Sequence, residues 1–147
     1  MLLVAAFSLA ACGGADERIA RNAYVQQVNV AQTDFADTVT TVSKRITPRS
    51  TSSQDRKTLQ RFERAIQVVV RKLKAIKAPD AVQTEHLALV KAMTTFGAQI
   101  NKATSALKNP DSAAIAGAQR TIQTATRTVN ARINNAIAAI NSKLNAK

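Results

Sequence analysis

Tryptophan is absent from this 147-residue chain, and cysteine, histidine and tyrosine occur once each. A single cysteine forms no intrachain disulfide and builds no thiolate metal cage. Four glycines and three prolines are the only strong punctuation, which argues against many short strands and for a few long elements. Acid is scarce as well: nine Asp and Glu stand against 21 Lys and Arg, for a net charge of +12. The longest apolar run, Leu2 to Ala11, falls well short of the roughly 20 residues that cross a bilayer as a helix. Hydrophobic residues make up 46%, yet only four Phe and one Tyr are among them. The core is therefore built from small and branched aliphatic side chains.

What the chain does have is helical periodicity. Tyr24, Val28, Ala31, Phe35, Val39, Val42 and Ile46 recur at steps of three and four, one face of a helix over about 16–46. Pro48 and the hydroxyl residues around it end that pattern. A second helix over about 53–77 has the seam Leu59, Phe62, Ile66, Val69, Leu73 and Ile76, with Ser52 and Asp55 at capping-box spacing. After Ala78-Pro79, with Asp80 and Gln83 as capping residues, a third helix carries Val82, His86, Leu89, Met93, Phe96, Ile100, Ala103 and Leu107. A fourth opens on Asn109-Pro110-Asp111, read as N-cap, first-turn proline and dipole-facing carboxylate. Its apolar face is Ile115, Ala118, Ile122, Ala125, Val129, Ile133, Ala136, Ile140 and Leu144.

Helices of roughly 38–54 Å at 1.5 Å per residue, each with one apolar stripe and joined by short turns, predict an all-α fold. The architecture expected is an antiparallel up-down-up-down four-helix bundle with long helices over 16–147. The other use of heptad seams is pairing between chains in a self-associating coiled-coil module. The short proline-marked turns favour folding back within one chain, so a monomer is expected. Val68, Val70, Leu87 and Val90 lie off the seams, where they either broaden the core or form a partner face.

The charge is unevenly placed. From Lys44 to Lys77 there are eleven basic residues, and only Asp55 and Glu63 oppose them. Lys57, Arg61, Arg64 and Arg71 share one face of the second helix, away from its seam, and Lys72, Lys74 and Lys77 follow. Such a stripe attracts polyanions: anionic lipid, wall polymer or nucleic acid. In the expected topology Arg71, Lys72, Lys74, Lys77, Lys143 and Lys147 gather at the end where the chain starts, each worth about 1 kcal/mol near an anionic membrane. The opposite end has its own cluster of Lys44, Arg45, Arg49, Arg56, Lys102 and Lys108. Stacking aromatics do not interleave with these cations, which argues against nucleic acid as the partner.

Recognisable catalytic patterns are missing. His86 is the only histidine and sits on an apolar seam, where such a residue is usually a core group with a hydrogen-bond partner. Met93 lies seven residues on along the same helix, roughly 10 Å away, so the two cannot hold one haem iron from opposite sides. Glu85-His86 lacks the Glu-x-x-His spacing of di-iron bundles. One histidine with scattered carboxylates makes neither a zinc site nor a nucleophile–base pair. Facing carboxylates of the glycosidase kind are not evident. The expectation is a non-enzyme without cofactor or metal.

Cys12 ends the segment Leu9-Ala10-Ala11-Cys12, directly behind the apolar run. This segment resembles the lipobox of bacterial lipoproteins. In that family the small residues before the cysteine admit a peptidase, the thiol is acylated, and the preceding segment is removed. The resemblance implies a signal peptide at 1–11, a lipidated Cys12 with a short stalk at 12–15, and export to the outer face of the cytoplasmic membrane. The leader lacks the basic segment that usually precedes the apolar stretch, which points to a translation start further upstream. In overall plan the rest resembles small helical lipoproteins of unknown function from high-GC Gram-positive bacteria. The function expected is a tethered envelope module that binds or spaces an anionic or protein partner, with no nucleic acid. If the chain is not exported, its basic helix is instead expected to bind polyanions such as nucleic acid.

Overall fold

The computed structural model describes residues 13–45, 50–108 and 111–145. They form four α-helices: α1 (Gly13–Ser43), α2 (Ser52–Ala75), α3 (Gln83–Ala106) and α4 (Ser112–Asn145), with a 3-10 turn at Asp80–Val82 before α3. The chain is an all-α four-helix bundle. The 1–11 leader, Cys12, the Pro48 turn, Asn109-Pro110 and Lys147 lie outside the described residues.

The seams meet in one core. Tyr24, Val28, Ala31 and Phe35 of α1 are buried with Leu59, Phe62, Ile66, Val69 and Leu73 of α2. Every seam position of the third helix, from Val82 to Leu107, is buried too, and α4 adds Ala118, Ala125, Val129, Ile133, Ala136 and Ile140. Val39, Val42, Ile76, Ile115, Ile122 and Leu144 pack at its margin. Phe35, Phe62 and Phe96 join three helices at mid-height. Phe96 stands edge-on to both others with centroids 5.7 Å apart, and Phe35 and Phe62 are stacked at 6.5 Å. Edge-to-face pairs of this kind add specific attraction to the area they bury. Of the off-seam residues, Val90 is buried and Val70 packs on the core, whereas Val68 and Leu87 stay 40% and 59% exposed.

Contacts near the helix ends show which ends lie together. Tyr24 of α1 meets His86 of α3, whose ring also reaches the Leu73 carbonyl near the end of α2. Lys143, late in α4, pairs with Glu85 at the start of α3, and Arg21 donates to the Leu144 carbonyl. The start of α1, the end of α2, the start of α3 and the end of α4 therefore share one end of the bundle.

Several helix ends differ from the expected ones, each for a local reason. The described part of the first helix runs from Gly13, so Gly13 and Gly14, expected as stalk, are helical. The capping box of α2 is Thr51 with Gln54, not Ser52 with Asp55. Gln54 N–H donates to the Thr51 hydroxyl at 3.3 Å, and Thr51 N–H donates to Gln54 Oε1 at 2.8 Å. That helix stops at Ala75 because Ile76 turns extended ahead of Ala78-Pro79. Asp80 and Gln83 do not cap α3 with their side chains; the 3-10 turn closes through backbone bonds instead. At α4 the capping carboxylate is Asp111, whose Oδ1 accepts from Ala114 N–H at 2.6 Å.

Candidate anion-binding face

The outer face of α2 is set by its inner one. With Leu59, Phe62, Ile66, Val69 and Leu73 buried, the 100° step per residue turns Lys57, Arg61, Arg64, Val68 and Arg71 to the opposite side. All five are exposed. The stripe runs about 21 Å along the helix axis, with the apolar Val68 in its middle.

Carboxylates near this stripe are directed elsewhere. Glu63 turns toward α3 and accepts from Asn101 Nδ2 at 2.8 Å and from Gln67 Nε2 at 3.5 Å. Asp34 of α1 takes Lys72 in an ion pair. Among the described residues, no ion pair engages Lys57, Arg61, Arg64, Arg71, Lys74 or Lys77. Lys74 and Lys77 are exposed at the end of α2, flanking the stripe rather than continuing it. Of the seven cations singled out from the sequence, four form the stripe, two flank it, and Lys72 is turned aside to α1.

The cations at the shared bundle end are more occupied. Lys143 pairs with Glu85 at 2.9 Å, and this hydrogen bond holds the Glu85 carboxyl below its usual range, helped by a backbone hydrogen bond. Arg21 binds Glu17 and the Leu144 carbonyl. A surface approaching end-on meets Lys143 and Arg21 already engaged, with Lys74 and Lys77 outside any ion pair, whereas one approaching α2 from the side meets a whole row of cations outside any ion pair.

His86 is committed to structure. Its Nε2 lies 3.0 Å from the Leu73 carbonyl, which only accepts, so Nε2 carries the proton; Nδ1 then accepts from the Tyr24 hydroxyl at 3.3 Å. Burial lowers the pKa of the ring, opposed in part by the Leu73 contact. Among the described residues, no three His, Cys, Asp or Glu side chains come together as a metal site, and no helix is long and apolar enough to cross a membrane.

Sequence reasoning missed a second basic element. The segment from Ser112 to Asn145 contains no acid and carries Arg120, Arg127, Arg132 and Lys143. The lack of any carboxylate in so long a helix was the available signal, eclipsed by the denser cluster on α2. The structure thus defines a class, the strongly basic all-α four-helix bundle. Compared with known families, curated proteins and solved structures, the chain matches none of them significantly.

Proposed function

We propose that this is a non-catalytic bacterial envelope lipoprotein, tethered through Cys12 to the outer face of the cytoplasmic membrane, whose α2 face binds an anionic surface or wall polymer. The observation that supports the binding role most is the stripe of Lys57, Arg61, Arg64 and Arg71, exposed along one face, with Glu63 and Asp34 bonded elsewhere. Free cations in a row raise the local concentration of a polyanion and hold it through several weak contacts. The tether rests on the Leu9-Ala10-Ala11-Cys12 segment. The seam residues that a self-associating coiled coil would pair between chains are buried within one chain, which favours this reading over that one.

Two measurements test the two halves. Labelled fatty acid, supplied to a bacterium with lipoprotein machinery, enters the wild type and not Cys12→Ala; equal labelling of both, or of neither, overturns the tether. Sedimentation with anionic vesicles or isolated wall polymer weakens when Lys57, Arg61, Arg64 and Arg71 are changed together to Gln. Replacing Lys72, Lys74 and Lys77 with Gln has the smaller effect, because Lys72 is already paired. Binding unchanged by the four-residue variant sinks the α2 assignment.

A further inference from the structure

Among the described residues four large apolar side chains stay exposed: Ile19, Val30, Val68 and Leu87. A single exposed apolar side chain is ordinary on any surface, so what separates these four is the charge around them. Ile19 and Val30 lie on α1, where Asp16, Glu17, Asp34 and Asp37 oppose only Arg18 and Arg21. Val68 and Leu87 lie on α2 and α3, where Asp55, Glu63 and Glu85 are the only acids among many cations. None of those acids stands beside Leu87 on the outer surface. Glu85 turns to Lys143 of α4, Glu63 accepts from Asn101 at 2.8 Å, and Asp55 lies in the first turn of α2, far from Leu87.

Two bonds set the register between α2 and α3: Asn101 meets Glu63, and His86 meets the Leu73 carbonyl. In that register Leu87 stands level with Lys74 in the last turn of α2, and Lys91 level with Arg71. Leu87 also shares a helix line with Thr94 and Ala98, and both border the furrow between α2 and α3 together with Val70 and Arg71. The leucine therefore stands on the α2 side of α3, away from its junction with α4. Arg71, Lys74 and Lys91 are exposed, and among the described residues no ion pair engages them. An apolar tip is thus set among three cations, on the side of the bundle that already carries the α2 stripe.

We infer that the α2–α3 face docks on an anionic lipid bilayer, with Leu87 seated at the boundary of headgroups and acyl chains and Arg71, Lys74 and Lys91 on the lipid phosphates around it. This docking rests on the anion-binding reading of α2, of which it names the partner. A bilayer is the anionic surface that also receives an apolar side chain. Leucine enters the acyl boundary, while the long stems of Lys and Arg let their charges stay at the phosphates. A hydrated wall polymer answers the cations alone and leaves Leu87 in water. The row from Lys57 to Arg64 extends the electrostatic contact along α2. The α1 face, with Ile19 and Val30 exposed, has the opposite charge balance and is repelled by the same surface.

The chain has no tryptophan, so a single one placed at position 87 reports its own surroundings. The test uses the full chain with Cys12→Ala throughout, which removes any acyl contribution. Its probes are vesicles of phosphatidylglycerol and phosphatidylcholine in equal parts, vesicles of phosphatidylcholine alone, and soluble poly(glycerol phosphate). Leu87→Trp shifts its emission to shorter wavelength on the anionic vesicles and is quenched there by brominated acyl chains. It does neither with the polymer or the neutral vesicles, and Val30→Trp stays unshifted with all three. Leu87→Ala weakens sedimentation with anionic vesicles about fivefold and leaves polymer binding within about twofold. Leu87 and Val30 are both exposed, so these variants keep the core intact. Changing Lys57, Arg61, Arg64 and Arg71 to Gln weakens binding to vesicles and polymer alike. If that variant binds both as wild type does, the α2 reading fails and the docking falls with it. If it loses binding while Leu87→Trp stays unshifted and Leu87→Ala sediments as wild type does, the α2 reading stands and the bilayer docking alone is overturned. An equal loss of polymer binding in Leu87→Ala overturns it in favour of a polymer, and an equal shift in Val30→Trp overturns it in favour of another face.

Discussion

His86 occupies a seam position that repeats as aliphatic or aromatic elsewhere in α3, between Val82 and Leu89. Its value there lies in the carbonyls that every helix leaves unpaired at its C-terminus. The Leu73 carbonyl accepts from Ile76 N–H at 3.1 Å and from His86 Nε2, so α3 supplies part of the cap of α2, and Tyr24 ties α1 to the same ring. The ring is neutral in the fold, and its pKa lies below the ordinary 6.5 because burial penalises the cation. The groups around it are the Tyr24 hydroxyl, the Leu73 carbonyl and the neighbouring Glu85, which also adds to the rise of the Tyr24 pKa. The unfolded chain binds a proton near pH 6.5 that the folded chain refuses, so stability is complete above that value and declines as pH falls below it. Urea midpoints between pH 7 and 5 therefore drop for wild type and stay flatter for His86→Gln; parallel profiles refute the role. Tyr24 acts at the other extreme. Burial first, then the Glu85 charge, pushes its hydroxyl up to about 12, so its contribution is present below pH 10 and lost as pH climbs from 10 to 12.

The helices as elements were the most legible part of the sequence, and their ends the least. Spacing alone singled out the buried faces of all four helices because a 3-4 alternation has one geometric solution on a helix. The start of α2 did not yield to spacing, since Thr51, Ser52 and Ser53 are all competent caps. What decides among them is a side chain reaching backward, Gln54 onto the Thr51 amide. Two interior glycines make a sharper comparison. A Cβ at Gly117 meets nothing within 4 Å, whereas one at Gly97 lies 3.2 Å from the Ile66 Cγ2 methyl. Glycine inside a helix costs about 1 kcal/mol relative to alanine, so Gly117→Ala raises the unfolding free energy by about that much. Gly97→Ala gains less, because Ile66 is 1% exposed and its β-branch holds one rotamer in a helix. Ile66→Leu removes the offending methyl. A double-mutant cycle of Gly97→Ala with Ile66→Leu thus shows favourable coupling of at least about 0.5 kcal/mol. Equal gains at both glycines, with no coupling, contradict this packing account.

At the scale of the whole molecule, charge and packing are both lopsided. The α2 stripe was legible as a run of eleven cations, but the diversion of Lys72 to Asp34 was not, because it depends on how α1 lies across α2. Packing is uneven in a way that bears on α1. The α1 helix rests mainly on α2, while α3 and α4 pack closely along their length. Between α1 and α4 a groove of about 330 Å³ opens past Gln32, Ala36 and Asn130 to the core residues Leu73, Leu89 and Met93. Near the shared end, the Arg21 bond to the Leu144 carbonyl, at 3.2 Å, spans this seam. Segments with fewer buried contacts open at lower free energy than the molecule as a whole. Native-state hydrogen exchange is therefore expected to find the α1 amides from Tyr24 to Phe35 opening below the free energy of the α3 amides from Leu89 to Ile100. Arg21→Ala lowers the α1 values further and leaves α3 at the global value. The first helix is then the one that loosens first. If α1 and α3 exchange at the same free energy, the bundle opens as one unit and α1 has no separate freedom.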